Sequence, residues 1–258
     1  MSKIISFLVL PKEISEFERQ YLNRVNRVAL VFFLMHVPVM MLVAFMNHTG
    51  PLLALVLTSA VVSGPVVATY TVANPRTVSI VHGVCAMFMG GLLVHFGQGP
   101  IQIEMHFYFF ALLAMCAVFG NPMVIVAAAV TVALHHLVLF MALPSSVFNY
   151  DATVGVVAVH AGFVVLESVA TCFIARSFFD NVIGLEKIVQ ARTLAFDSKN
   201  RDMRVLLDSI QQGLLTISRS GALATERSAI SDTWLGAPSR EGISWFEHLR
   251  HSDPDFAA

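Results

Sequence analysis

Long apolar segments with almost no charge constrain this chain more than any other feature. Between residues 27 and 176 only four side chains are formally charged: Arg76, Glu104, Asp151 and Glu167. Six apolar stretches there are each roughly 20 residues long, enough to cross a hydrocarbon core of about 30 Å. They lie near 28–47, 51–72, 77–97, 103–120, 122–143 and 153–175. The sequence therefore predicts an all-α fold, a polytopic bundle of six transmembrane helices.

The composition changes to that of a soluble protein after Arg176. We expect a cytoplasmic N-terminal segment at 1–27, the membrane bundle at 28–175, a linker helix at 176–212 and a short α/β segment at 213–258. Apolar residues recur every three or four positions from Phe178 to Ile210, with Arg192 and Lys199 interrupting the pattern. This spacing is typical of a helix that pairs with a second copy, or of an amphipathic helix that packs on its own domain. Residues 213–223 predict a strand, a Ser-Gly turn and a second strand.

Lys and Arg are confined to one set of flanks. They occur before the first span, in the second loop as Arg76, and after the sixth span as Arg176, while loops one, three and five carry none. The positive-inside rule then predicts a multi-pass membrane protein with both termini in the cytoplasm. No small-residue cleavage site follows the first apolar run, so a cleaved signal peptide is not expected. The near-neutral charge and the lack of a basic patch argue against a nucleic-acid partner.

Histidines supply the candidate site. An ionisable side chain inside a bilayer is costly and is therefore a functional candidate. The predicted helix directions place one group in the outer half of the membrane: His95, Glu104, His106, His135, His136 and His160. Three or four imidazoles with a carboxylate suit a transition metal ion such as copper, zinc or iron, and two imidazoles on facing helices suit a haem.

Helix geometry limits which of these side chains converge. His135 and His136 are about 100° apart, so only one of them points straight inward. Glu104 and His106 are about 200° apart if both are helical, so one of the two faces elsewhere. Glu167 lies on the face of His160 but about 10 Å deeper, which suits a proton relay or a group that supports a ligand. His82 and His36 are deeper candidates for the same supporting role. The alternative for each histidine is an ordinary hydrogen bond between helices.

Three sequence elements in this region resemble the multi-spanning N-terminal sensory region of certain bacterial chemoreceptors and sensor histidine kinases. In those proteins an IExHF element, an HH pair and an HAxFVxxE element recur in this order. Here they correspond to Ile103–Phe107, His135-His136 and His160–Glu167. In the tail, residues 204–208, 212–217 and 226–230 resemble the linker and the PAS-like start that precede the kinase domain in two-component sensors.

The resemblance implies a membrane-embedded sensory input module of the bacterial inner membrane, and the histidine cluster predicts that this module binds a metal ion or haem. The apolar pattern of the tail predicts a homodimer through the linker helix, and the resemblance implies an output kinase or signalling domain supplied in cis or in trans. No catalytic domain is predicted in these 258 residues, although the resemblance implies that the parent protein is a histidine kinase. The alternatives are a membrane di-metal oxidoreductase, a transporter with a proton path through His160 and Glu167, and a sensor whose histidines report pH or redox state without a metal.

Overall fold

The computed structural model describes residues 3–209 and 212–252, and it is mostly helical. The chain divides into two compact units, Met1–Lys187 and Ile188–Ala258. The helices of the first unit are α1 (Lys3–Leu8), α2 (Glu16–Met46), α3 (Pro51–Thr71), α4 (Pro75–Phe96), α5 (Gln102–Met105), α6 (Phe107–Met115), α7 (Pro122–Ala142) and α8 (Val154–Phe178). They are followed by α9 (Leu185–Ser209), β1 (Leu215–Ile217), β2 (Leu223–Arg227), α10 (Ala229–Leu235) and α11 (Trp245–Ser252).

Six helical segments within residues 3–209 and 212–252 are long and apolar enough to cross a membrane. They are α2, α3, α4, the stretch Gln102–Phe119, α7 and α8, and they match the six predicted spans in order. The predicted six-helix architecture of a multi-pass membrane protein is thus confirmed. One boundary differs: α2 begins at Glu16, so residues 16–27 of the predicted N-terminal segment form the first turns of the first long helix.

Short polar caps explain where several of these helices begin. The Ser15 hydroxyl accepts from the Glu18 amide at 3.2 Å, and the Asn74 and Asn121 side chains accept from amides two residues ahead at 2.9 and 3.0 Å. These bonds satisfy amides that have no partner within the first helical turn. Proline follows both asparagines, where its missing N–H costs nothing.

Helix α4 forms the centre of the bundle and packs against α2, α3, α6 and α7. Its small residues let the neighbours approach closely, as expected for packing between membrane helices. A Cβ at Gly83 would lie 2.7 Å from Val124 of α7, and one at Gly90 would lie 2.7 Å from the Phe109 ring of α6. Gly83 and Gly90 therefore mark close contacts of α4 with α7 and α6.

The fourth span is broken rather than continuous. It consists of α5, a turn at His106 with helical backbone angles, then α6 and a 3₁₀ turn at Cys116–Phe119. Gly120 ends this segment with φ +60°, a left-handed conformation that favours glycine. A Cβ there would also meet the Ile183 side chain at 2.7 Å, so the turn and the close packing both require glycine.

The predicted linker helix is interrupted near its start, although the helical stretch runs on from Val154 to Leu207. A π-helical turn occupies Phe179–Ile183 and a turn follows at Gly184. Phe179 and Ile183 are both buried against the bundle, and the next residue, Gly184, has a low helix propensity. Ile210 lies outside the described residues.

The second unit contains a small antiparallel sheet of β1 and β2. The turn between the strands is at Ser220-Gly221, where Gly221 has φ +82°. The predicted strand, Ser-Gly turn and strand are confirmed. Helix α10 follows β2 directly, and Arg227 at the end of β2 forms an ion pair with Asp232 of α10.

Candidate functional site

Five histidines of the bundle share one local hydrogen bond, which fixes how each ring presents its nitrogens. In each, Nδ1 lies 2.8–3.0 Å from the carbonyl oxygen of the residue four positions earlier. A carbonyl oxygen only accepts, so Nδ1 carries the proton and Nε2 of the neutral ring keeps a lone pair. The pairs are His36 with Phe32, His82 with Val78, His106 with Gln102, His136 with Val132, and His160 with Val156.

Three of these rings meet at one end of the bundle. His106 lies between α5 and α6, His136 is in α7, and His160 is in the second turn of α8. The ring centroids of His106 and His136 are 5.6 Å apart, those of His106 and His160 are 5.8 Å apart, and those of His136 and His160 are 6.1 Å apart. We call these three residues the histidine triangle. The structure thus brings together three of the five histidines predicted for one site.

Aromatic and aliphatic side chains surround the triangle. The Phe148 ring stacks on His106 at 6.1 Å and 19°, and the Phe109 ring lies 5.1 Å from His136. Phe148 belongs to the loop after α7, and sequence reasoning missed it; an aromatic residue in an otherwise polar loop was the available signal. An apolar cavity of about 450 Å³ adjoins the triangle. Its lining comprises Ile103, His106, Phe107, Phe110, Val147, Phe148, Tyr150, Val159, His160 and Phe163.

Two imidazole nitrogens at this end are buried and unpaired. Among the described residues, neither His106 Nε2 nor His135 Nδ1 has a hydrogen-bond partner. A buried polar atom without a partner costs about 1–3 kcal/mol, which a ligand that binds the atom can offset. The orphaned His106 nitrogen is part of the triangle itself, so the triangle carries an unused binding capacity.

His135 and His95 lie beside the triangle rather than in it. His135 is 5.3 Å from His136, and its Nε2 would be 2.4 Å from a Cβ placed on Gly91 of α4. Thus both rings lie within the bundle: His136 belongs to the triangle and His135 packs against α4. His95 Nδ1 lies 2.8 Å from the Ser146 hydroxyl.

Glu104 and Glu167, the two carboxylates considered for the site, differ in their surroundings. Glu104 is exposed, whereas His106 on the other side of the same short helix is buried. The structure therefore does not place Glu104 with the triangle. Glu167 is half-buried in α8, and its Oε2 has no hydrogen-bond partner in the described part of the chain.

The two deeper histidines, His36 and His82, differ in whether the Nε2 atom has a hydrogen-bond partner. His36 Nε2 accepts a hydrogen bond from the Tyr108 hydroxyl at 2.6 Å, so both ring nitrogens of His36 are paired. His82 is fully buried between Phe33 and Phe119, and its Nε2 lacks a partner among residues 3–209 and 212–252. Neither ring contacts the triangle.

The triangle fits a bare metal ion in its chemistry and nearly in its spacing. Three imidazoles on one ion, with metal–nitrogen distances of about 2.0–2.1 Å, have centroids about 5.2–5.5 Å apart. The observed separations of 5.6–6.1 Å are slightly larger. Accordingly, no group of three or more His, Cys, Asp or Glu side chains in the described part is close enough to hold an ion in this conformation. Ring movements of less than about 1 Å would bring the three imidazoles to ligand spacing.

A haem fits the same residues less well. Each triangle ring is nearly equidistant from the other two, so it lies close to the plane midway between them. The porphyrin of a haem ligated by two of the rings would occupy that plane. The third histidine would therefore collide with the porphyrin unless its helix moved.

The opposite end of the bundle holds a set of paired charges that sequence reasoning used only to assign topology. Arg76 Nε and Nη2 donate to both Glu18 carboxylate oxygens at 2.5 and 2.8 Å, and Arg76 Nη1 donates to the Pro11 carbonyl at 2.5 Å. Glu18 is buried. An isolated Arg in the second loop, with no acidic residue nearby in sequence, was the signal that a distant carboxylate pairs with it.

Arg176 extends this arrangement to the end of α8. Its Nη1 donates to the carbonyls of Ser6, Phe7 and Val9 at 3.2–3.5 Å, at the end of α1. The Arg76 and Arg176 guanidinium groups lie 5.8 and 5.9 Å from the Phe179 ring centroid. We call Glu18, Arg76, Arg176 and Phe179, with the backbone of residues 6–13, the N-terminal clasp. It joins the start of the chain to the π-helical turn after α8.

Comparison of the chain with protein-family models, with curated proteins and with solved structures finds no match.

Proposed function

We propose that this chain is the membrane-embedded sensory input module of a bacterial signal-transduction protein of the two-component kinase or chemoreceptor type. Its stimulus acts through a transition metal ion bound at the histidine triangle. The observation that carries the proposal is the meeting of three imidazoles from three helical segments, each with its proton directed to a backbone carbonyl. That bond leaves the Nε2 lone pairs for a ligand, which is how many metal-binding histidines are oriented.

The three imidazoles favour a transition metal ion that binds nitrogen ligands, and the site requires no carboxylate ligand. Three neutral imidazoles suit zinc, copper or iron, and the exposed Glu104 is not needed. The apolar cavity beside His106 and His160 leaves space for a further ligand on the ion. We place His135 as a supporting residue because it packs on His136, whereas His95 is bonded to Ser146 and lies outside the site.

Signal transmission requires that the triangle have two states with different metal affinity, because a ligand that binds both equally shifts nothing. A bound ion supplies positive charge and a preferred coordination geometry. His160 lies in the second turn of α8, so contraction of the triangle displaces α8 relative to α7 and the α5–α6 junction. Helix α8 leads through the π-helical turn into α9, which precedes the PAS-like segment. A movement of α8 can thereby reach an output domain in cis or in trans.

A homodimer through α9 would give that movement a second helix to act on. Apolar side chains of this helix are exposed in the single chain, among them Val189 at 53% and Met203 at 57%. Their spacing of two heptads places them on one face. The prediction is a parallel pair in which these residues meet their counterparts.

Metal analysis tests the binding site. The protein extracted from membranes is compared with His106→Ala and with the control His95→Ala, which removes a histidine outside the triangle. We expect about one metal ion per wild-type and His95→Ala chain, and at least about tenfold weaker binding by His106→Ala. Absorption spectra recorded on the same samples report any haem. Absence of both metal and a Soret band from reconstituted wild type would contradict a metal- or haem-based function, and equal metal binding by all three proteins would contradict the site.

Crosslinking tests the sensory role. We expect Val189→Cys to form a symmetric disulfide and Ser198→Cys, on the opposite face of α9, to form little. Metal should change the crosslinking rate of Val189→Cys, and His106→Ala should abolish that response. A crosslink unaffected by metal would argue for a site without signalling, and flux in liposomes would instead favour a transporter.

A further inference from the structure

A second apolar cavity lies between α2, α4 and α6, away from the histidine triangle. Its volume is about 640 Å³, within the usual range for small-molecule sites. Exposed apolar side chains form part of its lining, with Val28 at 64%, Met115 at 52% and Val118 at 46%. In a membrane these residues face lipid, so a lipid-soluble molecule can enter from the bilayer.

His82 gives this apolar cavity one defined polar contact. The residue has no exposed surface, lines the cavity, and donates from Nδ1 to the Val78 carbonyl at 2.9 Å. Its Nε2 is therefore an acceptor, and it has no partner in the described part of the chain. The rings of Phe33 and Phe119, which also line the cavity, lie 5.8 and 6.1 Å from the His82 ring. The ligand must therefore bring a hydrogen-bond donor on a flat or apolar body.

The other polar lining groups do not change this requirement. The Tyr21 hydroxyl already donates to the Val118 carbonyl at 2.7 Å. Arg24 is exposed and belongs to the first turns of α2. The phosphate and ester oxygens of a phospholipid are acceptors and cannot donate to His82, and its ammonium or hydroxyl donors belong to a polar headgroup that this apolar lining does not suit. An acyl chain alone would leave the buried nitrogen unpaired.

We propose that this cavity binds a membrane hydroquinone, the reduced form of a lipid-soluble quinone. Binding moves aside the side chains that cover His82, so that one hydroxyl donates to the uncovered Nε2, the flat ring packs against Phe33 and Phe119, and the apolar tail leaves between α2 and α6. The oxidised quinone carries carbonyl acceptors where the hydroquinone carries hydroxyl donors, so it cannot form the same bond. The site thus distinguishes the two redox states by binding alone. It would give the sensory module a second input, the reduction state of the membrane quinone pool, independent of the metal.

Binding of a decyl-substituted benzoquinol and of the matching benzoquinone tests this inference. Both are titrated calorimetrically into the full chain in lipid nanodiscs, without oxygen and with excess reductant for the quinol. We expect the quinol to bind at least about tenfold more tightly than the quinone, because one of them leaves His82 unpaired. In His82→Phe the quinol should lose that advantage, whereas His36→Phe should keep it because the His36 nitrogens are already paired within the protein.

Two further variants keep the test decisive. Ala114→Phe narrows the cavity at an exposed lining position and should weaken quinol and quinone alike. His82→Gln provides both a donor and an acceptor, so it should bind the two forms with similar affinity. Metal binding at the triangle, measured in parallel, reports whether each variant is folded and keeps this test separate from that of the metal site. Equal affinities of wild type for both forms, an undiminished quinol preference in His82→Phe and His82→Gln, or no quinol binding in lipid would each overturn the proposal.

Discussion

The two ends of the helical bundle differ in whether their buried polar groups are paired by hydrogen bonds. At the N-terminal clasp, Arg76 donates to both oxygens of Glu18 and to a backbone carbonyl, and Arg176 donates to three more carbonyls. At the histidine triangle, His106 Nε2 is buried without a partner among the described residues. Pairing is what a purely structural role requires, since an unpaired buried group destabilises the fold. The difference supports the proposal that the clasp holds the chain together and that the triangle binds a ligand.

Removing the charge of Glu18 should have the largest effect on stability. The Glu18 side chain is 4% exposed and that of Arg76 is 12% exposed, so Glu18→Gln leaves a nearly buried guanidinium without its counter-charge. We expect a loss of about 3 kcal/mol in the free energy of unfolding. Denaturant unfolding in lipid nanodiscs measures it. The control Glu16→Gln, at an exposed position that accepts from Gln20, should change stability by less than about 0.5 kcal/mol. Similar losses in the free energy of unfolding for the two variants would contradict a structural role for the clasp.

Metal should stabilise the opposite end by mass action. A ligand present at a hundred times its dissociation constant raises the free energy of unfolding by about 2.7 kcal/mol when it binds only the folded state. We expect zinc, copper or iron to do so in wild type and a chelator to reverse it. His106→Ala should show little stabilisation, whereas His95→Ala should respond like wild type. A metal-induced shift that survives in His106→Ala would assign the effect to another site.

Tyr108→Phe converts a paired histidine into an unpaired one and so tests the premise of the comparison. His36 Nε2 then loses its hydroxyl donor while the residue remains buried. We expect a loss of about 2 kcal/mol in stability, within the range for orphaned buried polar groups. Tyr150→Phe removes a hydroxyl from an exposed residue and should be nearly neutral. If Tyr108→Phe were also neutral, an unpaired nitrogen in the triangle would no longer indicate a ligand.

Much of this contrast could be predicted from the sequence, and the reasons are local. Chain length and apolar composition determine the spans, and Asn-Pro pairs determine where α4 and α7 begin. The helical repeat separates His135 from His136 by about 100°, yet both rings lie within the bundle because His135 packs against the central helix α4. The depth in the membrane that the helix directions predict for His106, His136 and His160 placed these residues at one end of the bundle.

The remaining features depend on contacts between residues far apart in the chain. The pairing of Arg76 with Glu18 spans 58 residues, and that of Arg176 with the α1 carbonyls spans about 170. The break at His106 and the π-helical turn at Phe179 satisfy tertiary packing, which local helix propensity does not report. The exclusion of Glu104 from the site depends on the rotation of the short helix α5, which four residues do not determine.

Acidification should weaken metal binding at the triangle, because each imidazole must be neutral to act as a ligand. The sign follows from competition between protons and metal for the same Nε2 lone pairs. We expect affinity to fall by at least about tenfold across the acidic range in which protons compete for these nitrogens. Metal titrations at a series of pH values measure it. Affinity that rises on acidification would mean that protonated imidazoles take part in binding, which excludes direct ligation.

The smallest expected effect concerns the exposed edge of the clasp. Arg176 Nε donates to Asp180 Oδ2 at 2.9 Å, but the Asp180 side chain is 49% exposed. Solvent screens such a pair, so Asp180→Asn should cost only about 0.3–0.5 kcal/mol. The same unfolding measurement compares Asp180→Asn with Glu18→Gln. The arginine partners of these two residues, Arg176 and Arg76, both lie against the Phe179 ring. A large loss in Asp180→Asn would mean that the pair holds the π-helical turn in place. The clasp would then contribute to signal transmission as well as to stability. The assignment of a purely structural role to this end of the bundle would be wrong.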